Sequence, residues 1–360
     1  MFSYPLQVDI DITERCNFNC KYCTASTRKN IDDELTTKEF EQLILEMYEW
    51  GVLNFNIAGG EPLIKPNILQ LLHNISLLKG IDITVVTNGS IVNDSTVEFF
   101  KTHSNIHLLV SLDSYFNEIN EITRSQTNLV KKNISRLIQE GVDITISQVI
   151  TDRSIESFWD NLLKLQEMGI KSLLVIKYIA SGGGMDAKDE AEIPYERWKE
   201  FLIKLTKFKS TGKFSKIGVS TACPWEIYLP LFDARFSVDD IYSIWNYKSP
   251  LLMDRYKEVS HLGCHAGVTS MNILANGDVM PCSVAGNEAQ LVCGNVKEQS
   301  IKDIWENSPL LNQLRKTTVE QLNGNCGKCD TKEVCGGGCR LRAYFRKKNI
   351  YDKDYICPKI

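Results

Sequence analysis

No cysteine occurs between Cys23 and Cys223. Disulfides therefore cannot brace the middle of the chain, which has to fold on an apolar core of its own. Long apolar runs are missing too, none approaching the length that spans a membrane. The net charge is only −4 over 360 residues, so no overall field argues for a nucleic-acid or membrane partner. Histidine is scarce. Its five residues suggest no site of their own, although His265 adjoins Cys264 and could tune a metal bound there. Internal repeats and low-complexity segments are absent. Met-Phe-Ser-Tyr-Pro leads straight into a strand without a signal-peptide pattern, so a cytoplasmic location is expected.

The cysteines that do occur gather at the two ends. Three of the twelve precede residue 24 and eight follow residue 263. Without a secretion signal this usage points to metal. The first group, Cys16-Asn17-Phe18-Asn19-Cys20-Lys21-Tyr22-Cys23, follows an alternating apolar run that reads as a strand. A short loop at a strand end can fold three sulfurs onto one point, and soft thiolates select iron–sulfur clusters, zinc or copper. Three ligands leave one position open, as sites for chemistry do.

Between the two ends, strand patterns over 6–12, 53–58, 81–86, 106–112, 142–150 and 172–179 alternate with helix patterns. The helices are predicted over 36–50, 66–78, 94–102, 129–140, 154–168 and 195–208, the first with a Thr36/Glu39 capping box. Six βα units predict parallel strands covered by helices, an open partial (β/α)6 TIM-like barrel. Reactive groups then belong at the C-terminal strand ends. That rule brings the Cys loop, Gly59-Gly60-Glu61-Pro62, Thr87-Asn88-Gly89 and Ser111-Leu112-Asp113 to one rim. Residues 209–260 are aromatic-rich and aperiodic. They read as a bridge that packs on the barrel and lines the cavity, or as ordinary helices between two domains.

The C-x3-C-x2-C spacing with Tyr22 before its last cysteine resembles the cluster loop of the radical S-adenosylmethionine (SAM) enzymes. The resemblance implies that Cys16, Cys20 and Cys23 hold a 4Fe–4S cluster whose fourth iron is chelated by SAM. An electron passed through it cleaves SAM to methionine and a 5′-deoxyadenosyl radical. Gly59-Gly60-Glu61-Pro62 is similar to the family segment that hydrogen-bonds the SAM amino group. Ser111 matches a SAM contact at the fourth strand end, with Asp113 as a turn cap. Arg124 falls where relatives set an arginine against the SAM carboxylate. Asn88 resembles a position near the methionine end, and Tyr22 one beside the adenine. Plainer readings stand beside these: an Asn-Gly turn for Asn88 and a solvated side chain for Arg124.

Cys264, Gly277 and Cys282, then Cys326-x2-Cys329-x5-Cys335-x3-Cys339 and Cys357, are similar position by position to the SPASM extension of that family. By resemblance Cys326, Cys329, Cys335 and Cys357 ligate an outer auxiliary 4Fe–4S cluster. Cys264, Cys282 and Cys339 ligate an inner one, interleaved as in two-cluster ferredoxins. The eighth ligand stays open between Cys223, Cys293, a non-Cys group and an unligated iron, with Cys293 also reading as a packed core thiol. Arg340, Arg342, Arg346, Lys347 and Lys348 read as a solvated basic helix face, or one that meets an acidic leader peptide or electron donor.

The expected organisation is a radical SAM core over 1–208, a bridge over 209–260 and a small Cys-rich iron–sulfur domain over 261–360. With the first strand starting near residue 6, no added N-terminal peptide-recognition domain is expected. The expected function is a radical SAM oxidoreductase or maturase acting on a peptide, reduced by a flavodoxin- or ferredoxin-type donor. A dehydrogenase of a sugar or other small metabolite is the alternative, favoured by a narrow buried cavity as a long open groove favours a peptide. An anaerobic sulfatase-maturating enzyme is disfavoured because Ser283 stands where those relatives carry an Asp base. A non-catalytic metal scaffold would not need the segment from Gly59 to Pro62.

Overall fold

Alternating apolar side chains build the strands, and a computed structural model describes the chain over residues 2–24 and 33–359. Val8 and Ile10 of β1 (Gln7–Asp11), Phe55 and Ile57 of β2 (Asn54–Ala58), and Ile83 and Val85 of β3 (Asp82–Thr87) are buried in one apolar core. Leu108 and Val110 of β4 (Ile106–Ser111), Ile146 of β5 (Ile144–Ile150) and Val175 of β6 (Ser172–Lys177) continue it. The opposite faces of these strands look inward, where Asp9, Ser111 and Ile176 line a cavity. Helices α1 (Thr37–Trp50), α2 (Ile68–Ser76) and α3 (Asp94–Thr102) cover the outside, followed by α4 (Asn117–Thr123), α5 (Thr127–Gln139) and α6 (Phe158–Glu167). Thr36 and Glu39 close the expected capping box on α1, whose Phe40, Leu43, Ile44 and Met47 form its buried stripe.

The sheet is longer than six strands. Its order is β10-β9-β8-β1-β2-β3-β4-β5-β6-β7, where β7 is Lys216–Ser220, β8 Ser270–Ile273, β9 Asp278–Met280 and β10 Gly294–Asn295. From β8 to β7 every neighbouring pair is parallel, while β9 and β10 turn antiparallel. The segment read as an aperiodic bridge therefore supplies a seventh barrel strand. That strand was hidden because Gly218 interrupts it and only Ile217 is buried. Helix α4 was not expected either. It is polar, and its one buried residue, Asn120, is a hydrogen-bonding keystone rather than an apolar anchor. The described residues contain no helix long and apolar enough to cross a membrane.

Candidate active site

The cluster loop leaves β1 and is stitched at once to the end of β2. Gly60 N–H donates to Thr13 O at 2.7 Å and Glu61 N–H to Arg15 O at 2.8 Å. A Cβ on Gly60 would stand 2.1 Å from the Arg15 carbonyl oxygen, so only glycine permits this approach. Gly59 needs its glycine twice over, with φ at +125° and Thr13 O 2.4 Å from a built Cβ. The two glycines line the cavity that Cys16, Cys20 and Cys23 also face. Glu61 does not face it. Its buried carboxylate accepts from Asn88 N–H at 2.7 Å, Thr87 Oγ1 at 2.7 Å and Leu63 N–H at 3.2 Å. Pro62 is buried at the start of the turn that follows.

Asn88 stands over the first thiol. Its Nδ2 donates to Asn17 Oδ1 at 2.9 Å and lies 3.9 Å from Cys16 Sγ. Arg124, at the end of α4, holds the other side. Its Nε donates to Asp113 Oδ2 and to Tyr22 Oη, each at 3.1 Å, and Nη1 is 3.9 Å from Cys20 Sγ. Asp113 also accepts from Thr123 Oγ1 at 2.8 Å and Val149 N–H at 3.1 Å. It anchors Arg124 as well as closing a turn. Tyr22 packs edge-on to Tyr178 with centroids 6.3 Å apart, and Gly184 passes beneath its carbonyl. Ser111, Asn88, Arg124 and Tyr22 all line the same cavity as the three thiols.

The donor set fits a multi-iron cluster. Burial pushes the Cys20 thiol up to about 11, with Arg124 opposing and Cys23, Asp113 and Cys16 adding to it. Three thiolates lining one cavity are favoured together by a cationic core. Among the described residues no three His, Cys, Asp or Glu side chains converge as they would on a single ion. The thiols line open cavities.

Cys264, Cys282 and Cys339 line the same cavity, whose volume is about 2150 Å3. Burial pushes the Cys282 thiol up, and Cys264 and Cys339 add to it. A second cavity of about 600 Å3 is lined by Cys326, Cys329, Cys335 and Cys357. Burial raises Cys335 to about 12 with Cys357 adding, and Cys357 to about 11 with Asp354, Cys326 and Cys329 adding. Cys223 and Cys293 line neither cavity. Cys293 is packed in the main core, and Cys223 sits between Glu226, Asp354 and Arg342. His265 reaches the first cavity but shares its Nδ1 with Thr269 Oγ1 at 2.9 Å.

One expectation is overturned. Arg340 and Arg342 are not on a solvated face; both are buried, while Arg346, Lys347 and Lys348 are exposed. Arg342 is paired with Asp354 and Glu226, and Lys177 joins Glu226 from the end of β6. The motifs gave no sign of this buried network. Its only trace was a lone lysine ending an apolar strand. The bridge segment contributes Tyr242, Tyr247, Met253 and Arg255 to the cavity lining.

Residues 10–189 match the model of the radical SAM superfamily, and residues 264–330 match the iron–sulfur cluster-binding domain SPASM. The AdoMet-dependent heme synthase of Methanosarcina barkeri is 24% identical over 361 residues, 99% of this chain and 97% of the relative. The antilisterial bacteriocin subtilosin biosynthesis protein AlbA of Bacillus subtilis is 23% identical, over 99% of this chain and 71% of its own. The crystal structure of Streptococcus suis SuiB bound to precursor peptide SuiA superposes with a TM-score of 0.77 at 23% identity. The match covers 99% of this chain and 76% of SuiB, and the two share a fold.

Proposed function

Because the chain belongs to the radical SAM superfamily, we propose that it is a peptide maturase of the oxidoreductase type, acting on an unactivated C–H bond. It carries a radical SAM core and a SPASM domain, and its cofactors are 4Fe–4S clusters and SAM. The observation that carries the reading is the single cavity of about 2150 Å3 lined by both Cys16, Cys20 and Cys23 and Cys264, Cys282 and Cys339. Its volume exceeds the roughly 300–1,000 Å3 of ordinary small-molecule clefts. SAM and the clusters take part of that space, and the rest suits a segment of peptide. The relatives named for subtilosin biosynthesis and for a precursor peptide support the same choice.

When bound, the first cluster and SAM supply a radical that removes a hydrogen atom, and the auxiliary clusters offer an acceptor for the electron left behind. The chain's own residues do the positioning. Arg124, oriented by Asp113 and Tyr22, presents a guanidinium edge to the SAM carboxylate. Gly59 and Gly60 bring backbone to the SAM amino group, and Ser111 offers a hydroxyl from the end of β4. Tyr22, fixed against Tyr178, gives the adenine a wall. On this reading 1–208 is the core, 209–260 the bridge and 261–360 the auxiliary domain. Cysteines that hold clusters and form no disulfide suit a reducing cytoplasm, with a flavodoxin- or ferredoxin-type donor.

The test is anaerobic reconstitution with iron and sulfide, then SAM cleavage under dithionite. The comparison is with the Cys16/Cys20/Cys23→Ala variant. About twelve irons falling to about eight, with 5′-deoxyadenosine formation lost, is the expected result. Peptides translated from adjacent reading frames should then accelerate cleavage and change mass. One observation favours a second reading, a tetrapyrrole substrate: the heme synthase match spans 97% of that relative, against 71% for the subtilosin protein. Turnover of a porphyrin but of no peptide would select it.

A further inference from the structure

Two arginines of the helix Arg340–Lys347 are among the most buried residues in the molecule, Arg340 at 0% and Arg342 at 1% exposure. Their charges are met differently. The Arg342 guanidinium donates to both Asp354 oxygens at 2.7 and 2.6 Å and to Glu226 at 3.3 Å, and Lys177 pairs with Glu226 in turn. Two cations face two carboxylates, and the set is neutral. Arg340 has no carboxylate at ion-pair distance among the described residues. It donates only to carbonyls: Ile350 O at 2.8 Å, Asp352 O at 2.7 Å, Gly338 O at 3.5 Å and Gly337 O. Carbonyl dipoles solvate a guanidinium without cancelling its charge, and the neighbouring Asp354 carboxylate is already taken up by Arg342 and by Cys339 N–H, so a further anion would favour the buried charge.

The position of Arg340 indicates the anion. Gly337 and Gly338, which it grips, belong to the wall of the second cavity beside Cys326, Cys335 and Cys357. On its other side its chain neighbour Leu341 lines the first cavity. Cys339, the preceding residue, lines that first cavity as well. A single residue thus forms part of the partition between the two thiol sets of the C-terminal region.

We propose that Arg340 is the shared counter-charge of the two auxiliary cluster sites and holds both of their reduction potentials up. A thiolate-ligated cluster is anionic and gains one further negative charge on reduction. A fixed cation at its edge therefore favours the reduced state, without any proton transfer. Arg342 differs in that its guanidinium is paired directly with Asp354 and Glu226. The inference rests on the cofactors of the family and does not depend on the substrate.

Anaerobic redox titration of the reconstituted protein, followed by electron paramagnetic resonance and iron counting, tests it. In Arg340→Gln both auxiliary midpoints should move to more negative potential while the SAM-binding cluster stays where it was. Arg340→Lys should restore them. Should Arg340→Gln fail to load the auxiliary sites while Arg340→Lys loads them, the charge itself is required and the proposal stands. Unmoved auxiliary midpoints in a fully loaded Arg340→Gln protein would overturn it. So would a shift shared equally by all three clusters, or loss of the auxiliary irons in Arg340→Lys as well as in Arg340→Gln.

Discussion

The Glu61 carboxylate accepts the Asn88 backbone N–H at 2.7 Å, tying the segment after β2 to the end of β3. Asn88 then reaches Asn17 and the neighbourhood of Cys16. Burial pushes the Glu61 carboxyl up, opposed by Asn88, Thr87 and Leu63. Glu61→Gln keeps the volume but offers one acceptor oxygen where two are engaged. It should destabilise the protein by about 1–3 kcal/mol, the penalty for a buried donor left unmet. Anaerobic urea unfolding measures that loss. The same variant should bind SAM more weakly, since Asn88 loses its anchor.

Arg124 is fixed by Asp113 and Tyr22 before any ligand arrives. Arg124→Gln removes a charge-assisted contact of about 1.5–3 kcal/mol, a rise of roughly 10- to 100-fold in the Kd for SAM. Asp113→Asn should give a smaller rise by releasing the guanidinium. Equilibrium dialysis of the reconstituted variants separates the two effects. Equal Kd values in wild type and Arg124→Gln would remove Arg124 from the SAM site.

Glu34 lies beneath the cluster loop, accepting from Lys65 Nζ at 2.9 Å, Glu14 N–H at 2.7 Å and Thr13 Oγ1 at 2.9 Å. Burial alone would raise its carboxyl, but Lys65, Glu14 and Thr13 together outweigh it and hold it below the ordinary value. A carboxyl lowered by folding stabilises the native state above its unfolded pKa of roughly 4.3. That stability is lost as the pH falls through the folded value. Unfolding free energy should therefore drop more steeply below pH ~5 in wild type than in Glu34→Gln. Parallel pH profiles would contradict the assignment.

The regular part of the fold was legible because its apolar period is clean. Thr36 with Glu39 marked α1, and each of the six expected strands appears within two residues of its predicted bounds. The thiols that share each cavity could be grouped beforehand by their spacing and its resemblance to the family pattern. What stayed hidden depends on partners remote in sequence. Arg342 reads as a surface charge until Glu226 and Asp354 are brought to it. Lys65 likewise meets Glu34 only in the folded chain. Strand β7 pairs with β6 on one side only and needs little apolar content to do so.

The two cysteines outside both cavities decide the ligand count of the inner site. Cys293 lies in the main core, its Sγ 3.6 Å from Leu291 O, and burial pushes its thiol up to about 12. Cys223 is closer to the auxiliary region, but its sulfur faces Glu226 Oε2 at 3.5 Å, Asp354 Oδ2 at 3.6 Å and Arg342 Nη2 at 3.3 Å. A sulfur in that polar cage would have to leave three partners to reach an iron beside Cys264, Cys282 and Cys339. Cys223→Ser and Cys293→Ser should therefore each keep about twelve irons, whereas Cys339→Ser should lose auxiliary iron. Loss of iron in Cys223→Ser, with Cys293→Ser unchanged, would make Cys223 the eighth ligand and require the helix Trp225–Asp233 to shift on cluster binding.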